Sequence, residues 1–265
     1  MEDPADPRVR GYVDVRERDL SGRDNLFLLE GENVLRVLAA RSLYRPVSVL
    51  VSEARARAPQ TDALLGRVPA GVPVYVAAQP VLDRIVGFHI HRGVLSLAER
   101  GPARAADDLL GAIEGPATVV AAVGITNHDN MGGLFRNAAA FGARAVLLDA
   151  ESCDPLYRKA VRVSVGGALV VPFARGGDGH GLLDALVRHG FEPLALSPRG
   201  AVEVRDLRPG PRRALVLGTE GEGLPEALMA RATTVRIAMR TDFDSLNVAV
   251  AAGIALHALF PEVAC

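Results

Sequence analysis

Apolar residues in this chain gather in short continuous runs, and the spacing of those runs divides the sequence in two. Before residue 100, runs at 26–29, 47–51, 72–76 and 93–97 predict strands. Between them, Val34, Leu35, Val37 and Leu38 repeat at helical spacing within residues 31–41, and shorter helices are expected at 62–65 and 80–86. Residues 1–23 are charged and without a period, which predicts an extended arm or a short helix. Glycine and proline bracket residues 101–116 around a helical stretch at 107–113, so this segment reads as a linker. Beyond it, apolar runs at 118–123, 143–148, 169–171, 193–196, 214–217 and 234–237 alternate with helical stretches. Continuous apolar runs mark strands buried on both faces, as in a mostly parallel sheet covered by helices on each side. The expected fold is α/β throughout: an arm (1–23), a smaller domain (24–100), the linker (101–116) and a larger domain (117–265).

Ligands of such sheets bind beyond the carboxyl ends of the strands. Three polar segments fall there. Asn127-His-Asp-Asn-Met-Gly-Gly-Leu-Phe-Arg136 follows the run at 118–123 and opens a helix, with Asp129 or Asn130 as the expected N-cap. Gly132 and Gly133 are poor helix formers, so their place in the first turn predicts the close approach of another backbone or a ligand. Arg136, one turn beyond Gly132, would hold its charge above that small-residue surface, where it suits a phosphate. A surface arginine on an amphipathic helix is the alternative. The second segment, Gly218-Thr-Glu-Gly-Glu-Gly-Leu224, lacks the lysine and hydroxyl of a phosphate-binding loop and carries a carboxylate, Glu220, that would repel phosphate. Its backbone suits an adenine edge or a ribose, and Glu220 suits the task of orienting an Arg or Asn; a plain strand-to-helix turn is the alternative. The third, Ser245-Leu-Asn247, puts Ser245 at an expected N-cap and Asn247 at the start of an apolar helix over 246–260 that reads as buried. A buried amide without a partner costs about 1–3 kcal/mol, so Asn247 requires defined hydrogen-bond partners.

Composition narrows the classes. The 265 residues are 49% apolar and 23% charged, those of an ordinary globular protein, and no run reaches the length of a membrane span. The acidic, proline-containing start is unlike an export signal, so a cytoplasmic location is expected. Cys153 and Cys265 are the only cysteines, too few for a disulfide framework or a thiolate metal site. His89 and His91 share a strand face without a third ligand nearby, and no metal is expected. A net charge of −1 excludes a polybasic nucleic-acid coat, although not a local patch. Lys159 is the single lysine; the arginine excess suits phosphate contacts, but codon bias is the favoured explanation. No Gly-x-Gly-x-x-Gly follows the run at 118–123, which argues against a nicotinamide cofactor.

The three segments resemble the three motifs of the SpoU family of RNA ribose 2′-O-methyltransferases, in the SPOUT class. The similarity spans roughly residues 117–260. It rests on Asn130, Gly132 and Arg136; on Gly218, Glu220, Gly221, Gly223 and Leu224; and on Ile237, Met239, Ser245, Leu246 and Asn247. Arg162-Val-Ser-Val-Gly166 is similar to the family's Arg-x-Ser-x-Gly segment. Leu28-Leu-Glu-Gly-Glu32 and His91-Arg-Gly-Val94 are similar, less specifically, to its ribosomal-protein-like RNA-binding domain.

The resemblance implies a deep trefoil knot, a homodimer whose active site draws on both subunits, S-adenosylmethionine as cofactor, and ribosomal or transfer RNA as partner. It implies cofactor contacts at Gly218, Thr219, Glu220, Gly223, Ile237, Met239 and Leu246. It also makes Arg136 the catalytic arginine, with Asn130, Glu220, Ser245 and Asn247 positioning it and the ribose. Many members carry a proline just before the motif asparagine; Asn127-His-Asp129 has none, which implies an altered substrate preference. Deprotonating a guanidinium, with a reference pKa of about 12.5–13.8, costs roughly 8 kcal/mol at pH 7. Arg136 therefore either cycles its proton with help from a phosphate and Glu220 or stays charged beside a forming alkoxide. Base methylation by the same fold, a non-catalytic RNA-binding relative and a small-molecule methyltransferase are the alternatives.

Overall fold

The computed structural model describes residues 1–13, 25–87, 90, 92–207, 210–240, 242 and 244–260. His89, His91 and Cys265 lie outside them. Two compact units form: Met1–Pro102 together with Leu156–Val170, and Ala103–Pro155 together with the chain from Val171 onward.

The first unit is built on a four-stranded sheet in the order β1-β4-β2-β3, comprising β1 (Leu26–Glu30), β2 (Pro46–Ser52), β3 (Val74–Ala77) and β4 (Val94–Glu99). β1 and β2 run antiparallel to β4, and β3 runs parallel to β2. Its helices are α1 (Glu32–Arg41), α2 (Glu53–Ala56), α3 (Pro59–Leu65) and α4 (Gln79–Val86). Leu28, Leu50, Leu82, Ile85 and Leu95 form a core that also takes in Val9 and Tyr12 from a 3-10 helix at Pro7–Tyr12. Tyr12 is fully buried, and its hydroxyl satisfies itself on Ser48 Oγ at 2.8 Å.

Residues 156–170 belong to this unit through several bonds. Arg158 and Arg162 of a short helix each stand 3.5 Å from the buried Glu30 carboxylate. The Leu43 amide donates to the Leu169 carbonyl at 2.9 Å. The strand expected at 169–171 is absent: Gly167–Leu169 is a buried 3-10 turn, entered through Gly166 in the left-handed region, and the strand begins only after Pro172. A short apolar run reports burial, and here the burial belongs to a turn.

The second unit carries a seven-stranded sheet in the order β7-β6-β5-β10-β8-β11-β9. Its strands are β5 (Ala117–Ala122), β6 (Val146–Leu148), β7 (Phe173–Arg175), β8 (Glu192–Leu196), β9 (Val202–Glu203), β10 (Arg212–Leu217) and β11 (Thr233–Arg236). Every pairing is parallel. On one face Val119, Ala121, Leu147 and Val216 pack with Leu182 and Leu186 of the helix Gly179–Arg188. The alternate residues Val120, Ala122, Leu215 and Leu217 are also buried, so both faces are covered. Two further helices, α5 (His128–Ala140) and α6 (Val248–Leu259), pack against each other. Among the described residues no helix is long and apolar enough to cross a membrane.

Candidate active site

α5 begins earlier than the sequence indicates. Its N-cap is Asn127, whose Oδ1 accepts from the Asp129 and Asn130 amides at 2.7 and 3.4 Å, rather than Asp129 or Asn130. Asn127, Asp129 and Asn130 are all good caps by type; the extended backbone at Asn127 decides between them. This releases the Asn130 side chain to face the site. Asn130 is 9% exposed, donates Nδ2 to Glu220 Oε1, and accepts at Oδ1 from Asn247 Nδ2 at 2.8 Å. A carboxylate only accepts, so the Asn130 amide has one satisfactory orientation.

α6 is capped by Asn247, two residues after the expected Ser245: its Oδ1 accepts from Ala249 and Val250 amides at 3.0 and 3.2 Å. Asn247 is exposed, not buried as expected, because it sits at the open mouth of the helix. Its amide nonetheless has defined partners on both atoms, and the buried asparagine of the set is Asn130. α6 is likewise not buried all round. Ala252, Ala255 and Leu256 face inward, while Val250 and Ile254 lie outward at 53% and 43% exposure.

The glycines of α5 have an evident reason. A Cβ on Gly133 would lie 2.7 Å from that of Ala249, so its absence lets α6 approach. One turn along, Asn137 Nδ2 donates to the Ala249 carbonyl at 2.6 Å. Arg136 is exposed on α5 and makes no side-chain hydrogen bond or ion pair among the described residues.

Gly218 ends β10 where the chain folds back on itself. A Cβ there would lie 2.3 Å from the Gly223 carbonyl carbon and the Leu224 nitrogen, so no other residue fits. Thr219 and Gly223 close the turn as an isolated bridge. The turn also rests against Gly124, whose added Cβ would come 2.5 Å from Thr219 Cγ2 and whose φ is +68°. Gly124 is held from below by the buried Asp149: its amide donates to both carboxylate oxygens at 3.0 Å. Ser152 donates its amide and hydroxyl to the same carboxylate at 2.9 and 2.6 Å and accepts from the Ile125 amide at 3.1 Å. Neither Asp149 nor Ser152 stands out in the sequence; an acid directly after the run at 143–148, at a strand's carboxyl end, was the available signal.

Beyond the carboxyl ends of β8, β10 and β11 opens a cavity of about 680 Å³, within the usual size of a small-molecule site. Gly218, Thr219, Glu220, Gly223, Ile237, Met239 and Leu246 line it, as do Ser245 and Asn247. Arg136 does not; Asn130 meets the lining through its bonds to Glu220 and Asn247. The turn after β8, Ser197-Pro-Arg-Gly200, contributes Ser197, Pro198 and Arg199 to the wall. Sequence reasoning missed this turn, although it follows an apolar run at the same edge. Cys153 is half-buried, and burial, reinforced by the Asp154 charge, pushes its thiol up to about 11. It is protonated at neutral pH and is no nucleophile there.

Comparisons with known proteins agree with this geometry. Residues 117–257 match the family model of the SpoU rRNA methylases. The chain is 39% identical over 265 residues to an uncharacterized tRNA/rRNA methyltransferase of Mycobacterium bovis, covering 96% of this chain and 89% of that protein. The AdoMet-bound rRNA methyltransferase of Sinorhizobium meliloti shares the fold, with a TM-score of 0.79 at 22% identity over 98% of this chain and 96% of that one. A crystallised RNA 2′-O ribose methyltransferase aligns with a TM-score of 0.77 at 26% identity, over 98% and 97% of the two chains. The chain belongs to the SpoU rRNA methylase family.

Proposed function

We propose that this protein transfers a methyl group from S-adenosylmethionine to a ribose 2′-hydroxyl of ribosomal or transfer RNA. The observation that carries the reading is the Asn130–Glu220–Asn247 hydrogen-bonded cluster at the wall of a glycine-lined cavity. The cavity residues fit the cofactor. Gly218 leaves its backbone bare where a Cβ would not fit, which suits a flat adenine held by main-chain groups. Glu220, Glu222 and Asp244 bring carboxylates to a pocket for a molecule with a cationic sulfonium. When bound, that cofactor supplies an activated methyl group.

The residues of the chain then have positioning work to do. Asn130 and Asn247 hold Glu220 in one geometry, and Ser245 and Asn247 present polar groups at the cavity wall. Methyl transfer needs an aligned nucleophile, so most of the acceleration comes from such placement. The role proposed for Arg136 is a guanidinium beside the forming alkoxide, where its charge stabilises the transition state. Arg136 lies outside the cavity lining of its own chain, as a homodimer with a shared active site requires; the outward Val250 and Ile254 supply an apolar surface for that pairing. The deep trefoil knot is part of this reading, on the strength of the resemblance to the SPOUT class. The 2′-hydroxyl as acceptor is supported by the alignment at 26% identity to an RNA 2′-O ribose methyltransferase.

The test is transfer from methyl-labelled S-adenosylmethionine to total bacterial rRNA and tRNA, followed by digestion to nucleosides and mass spectrometry, with Arg136→Ala as control. Label on ribose, lost in the control, is the expected result. Label on a base would overturn the ribose assignment, and no label together with no cofactor binding would overturn the whole reading.

A further inference from the structure

The cavity wall carries one cation among its described residues, Arg199, against three carboxylates, Glu220, Glu222 and Asp244. Other arginines on these loops are engaged. Arg236 donates to the Gly200 and Ala201 carbonyls at 2.8 and 3.0 Å and pairs with Glu203 at 3.3 Å. Arg240 pairs with Asp242 at 2.9 Å. The Arg199 guanidinium makes no hydrogen bond or ion pair among the described residues; only its backbone amide is engaged, with Ser197 Oγ at 3.3 Å.

The turn that presents Arg199 is fixed at its base. Gly200 is buried against β11, where a Cβ would lie 2.2 Å from the Val235 carbonyl carbon. Its amide donates to the Ser197 carbonyl at 3.0 Å, and its own carbonyl accepts from Arg236. The backbone under Arg199 is thus ordered before any ligand arrives, which lowers the entropy lost on binding.

Resting on the methyltransferase reading above, we infer that Arg199 is the counter-charge for the α-carboxylate of the methyl donor. At neutral pH the donor carries a sulfonium, an α-ammonium and a single carboxylate. The wall offers three anions for the two cations and one guanidinium for the one anion. A guanidinium fork matches a carboxylate with paired hydrogen bonds, and it discriminates amino-acid-bearing nucleosides from those without the acid. Arg199 therefore selects for the amino-acid end of the cofactor, apart from the Asn130–Glu220–Asn247 cluster.

The experiment is calorimetric binding of S-adenosylhomocysteine and of its α-carboxamide, which keeps the shape and removes the charge. Wild-type protein is expected to prefer the acid about tenfold, equivalent to about 1.4 kcal/mol. Arg199→Ala should weaken binding of the acid far more than that of the carboxamide and lose the preference, and Arg199→Lys should restore part of it. A preference that persists in Arg199→Ala, or equal binding of the two ligands by wild type, would overturn the inference and leave the methyltransferase reading intact. Failure of wild type to bind either ligand would overturn both.

Discussion

Asn130 illustrates how much one side chain can organise. Its amide uses a donor on Glu220 and an acceptor toward Asn247, joining residues far apart in the chain. The family resemblance groups these three residues in one site; Glu220 and Asn247 also stand out as polar beside glycine or apolar neighbours, whereas Asn130, next to His128 and Asp129, does not. Which of them is buried was not legible. Asn247 reads as the buried one, yet cap geometry brings it to the surface and places Asn130 inside. Asp149 escaped notice because its role depends on Gly124 and Ser152, which meet it only after the strands align. Among single side chains Cys153 gives a sharp expectation. With its thiol at about 11, alkylation at pH 7 in a Cys265→Ser background should run on the order of a hundredfold slower than for a free cysteine, and should still be rising above pH 10. A rate that levels off near pH 9 would contradict the burial of that thiol.

Five strands of the second unit, β5, β6, β8, β10 and β11, were readable because continuous apolar runs and parallel pairing go together, while the two-residue β9 has no apolar run to announce it. The caps were readable by type but not by position, since Asn, Asp and Ser compete for the same task. The run at 169–171 misleads because burial of a turn and of a strand leave the same signature. The contact between α5 and α6 is where helix packing meets the site: Gly133 lies under Ala249, two residues from the Asn247 cap. Gly133→Val would force the helices apart, and a loss of about 1–3 kcal/mol in urea unfolding is expected, with a fall in methyl transfer. Unchanged stability would mean that the helices do not pack this closely.

Across the chain as a whole, linear order and compactness part company. Residues 156–170 lie inside the stretch that matches the methylase family, yet Glu30, Val37 and Leu43 hold them in the first unit. No periodicity reports such an exchange, because it depends on which neighbours a segment meets. The outward face of α6 bears on assembly. If Val250 and Ile254 lie in a dimer interface, Val250→Glu with Ile254→Glu should sediment as a monomer and lose transfer activity, while wild type sediments as a dimer. A monomeric and active wild type would contradict the shared active site.

Everything proposed for this site turns on the Asn130–Glu220–Asn247 cluster fixing the geometry of methyl transfer beside the cofactor pocket. The decisive measurement is single-turnover transfer to RNA by Asn130→Ala, with S-adenosylhomocysteine affinity determined on the same protein. Cofactor affinity should stay within a few-fold of wild type while transfer slows by about a hundredfold, in line with the loss of a positioning group. Transfer at the wild-type rate with the cofactor bound would contradict that role for the cluster.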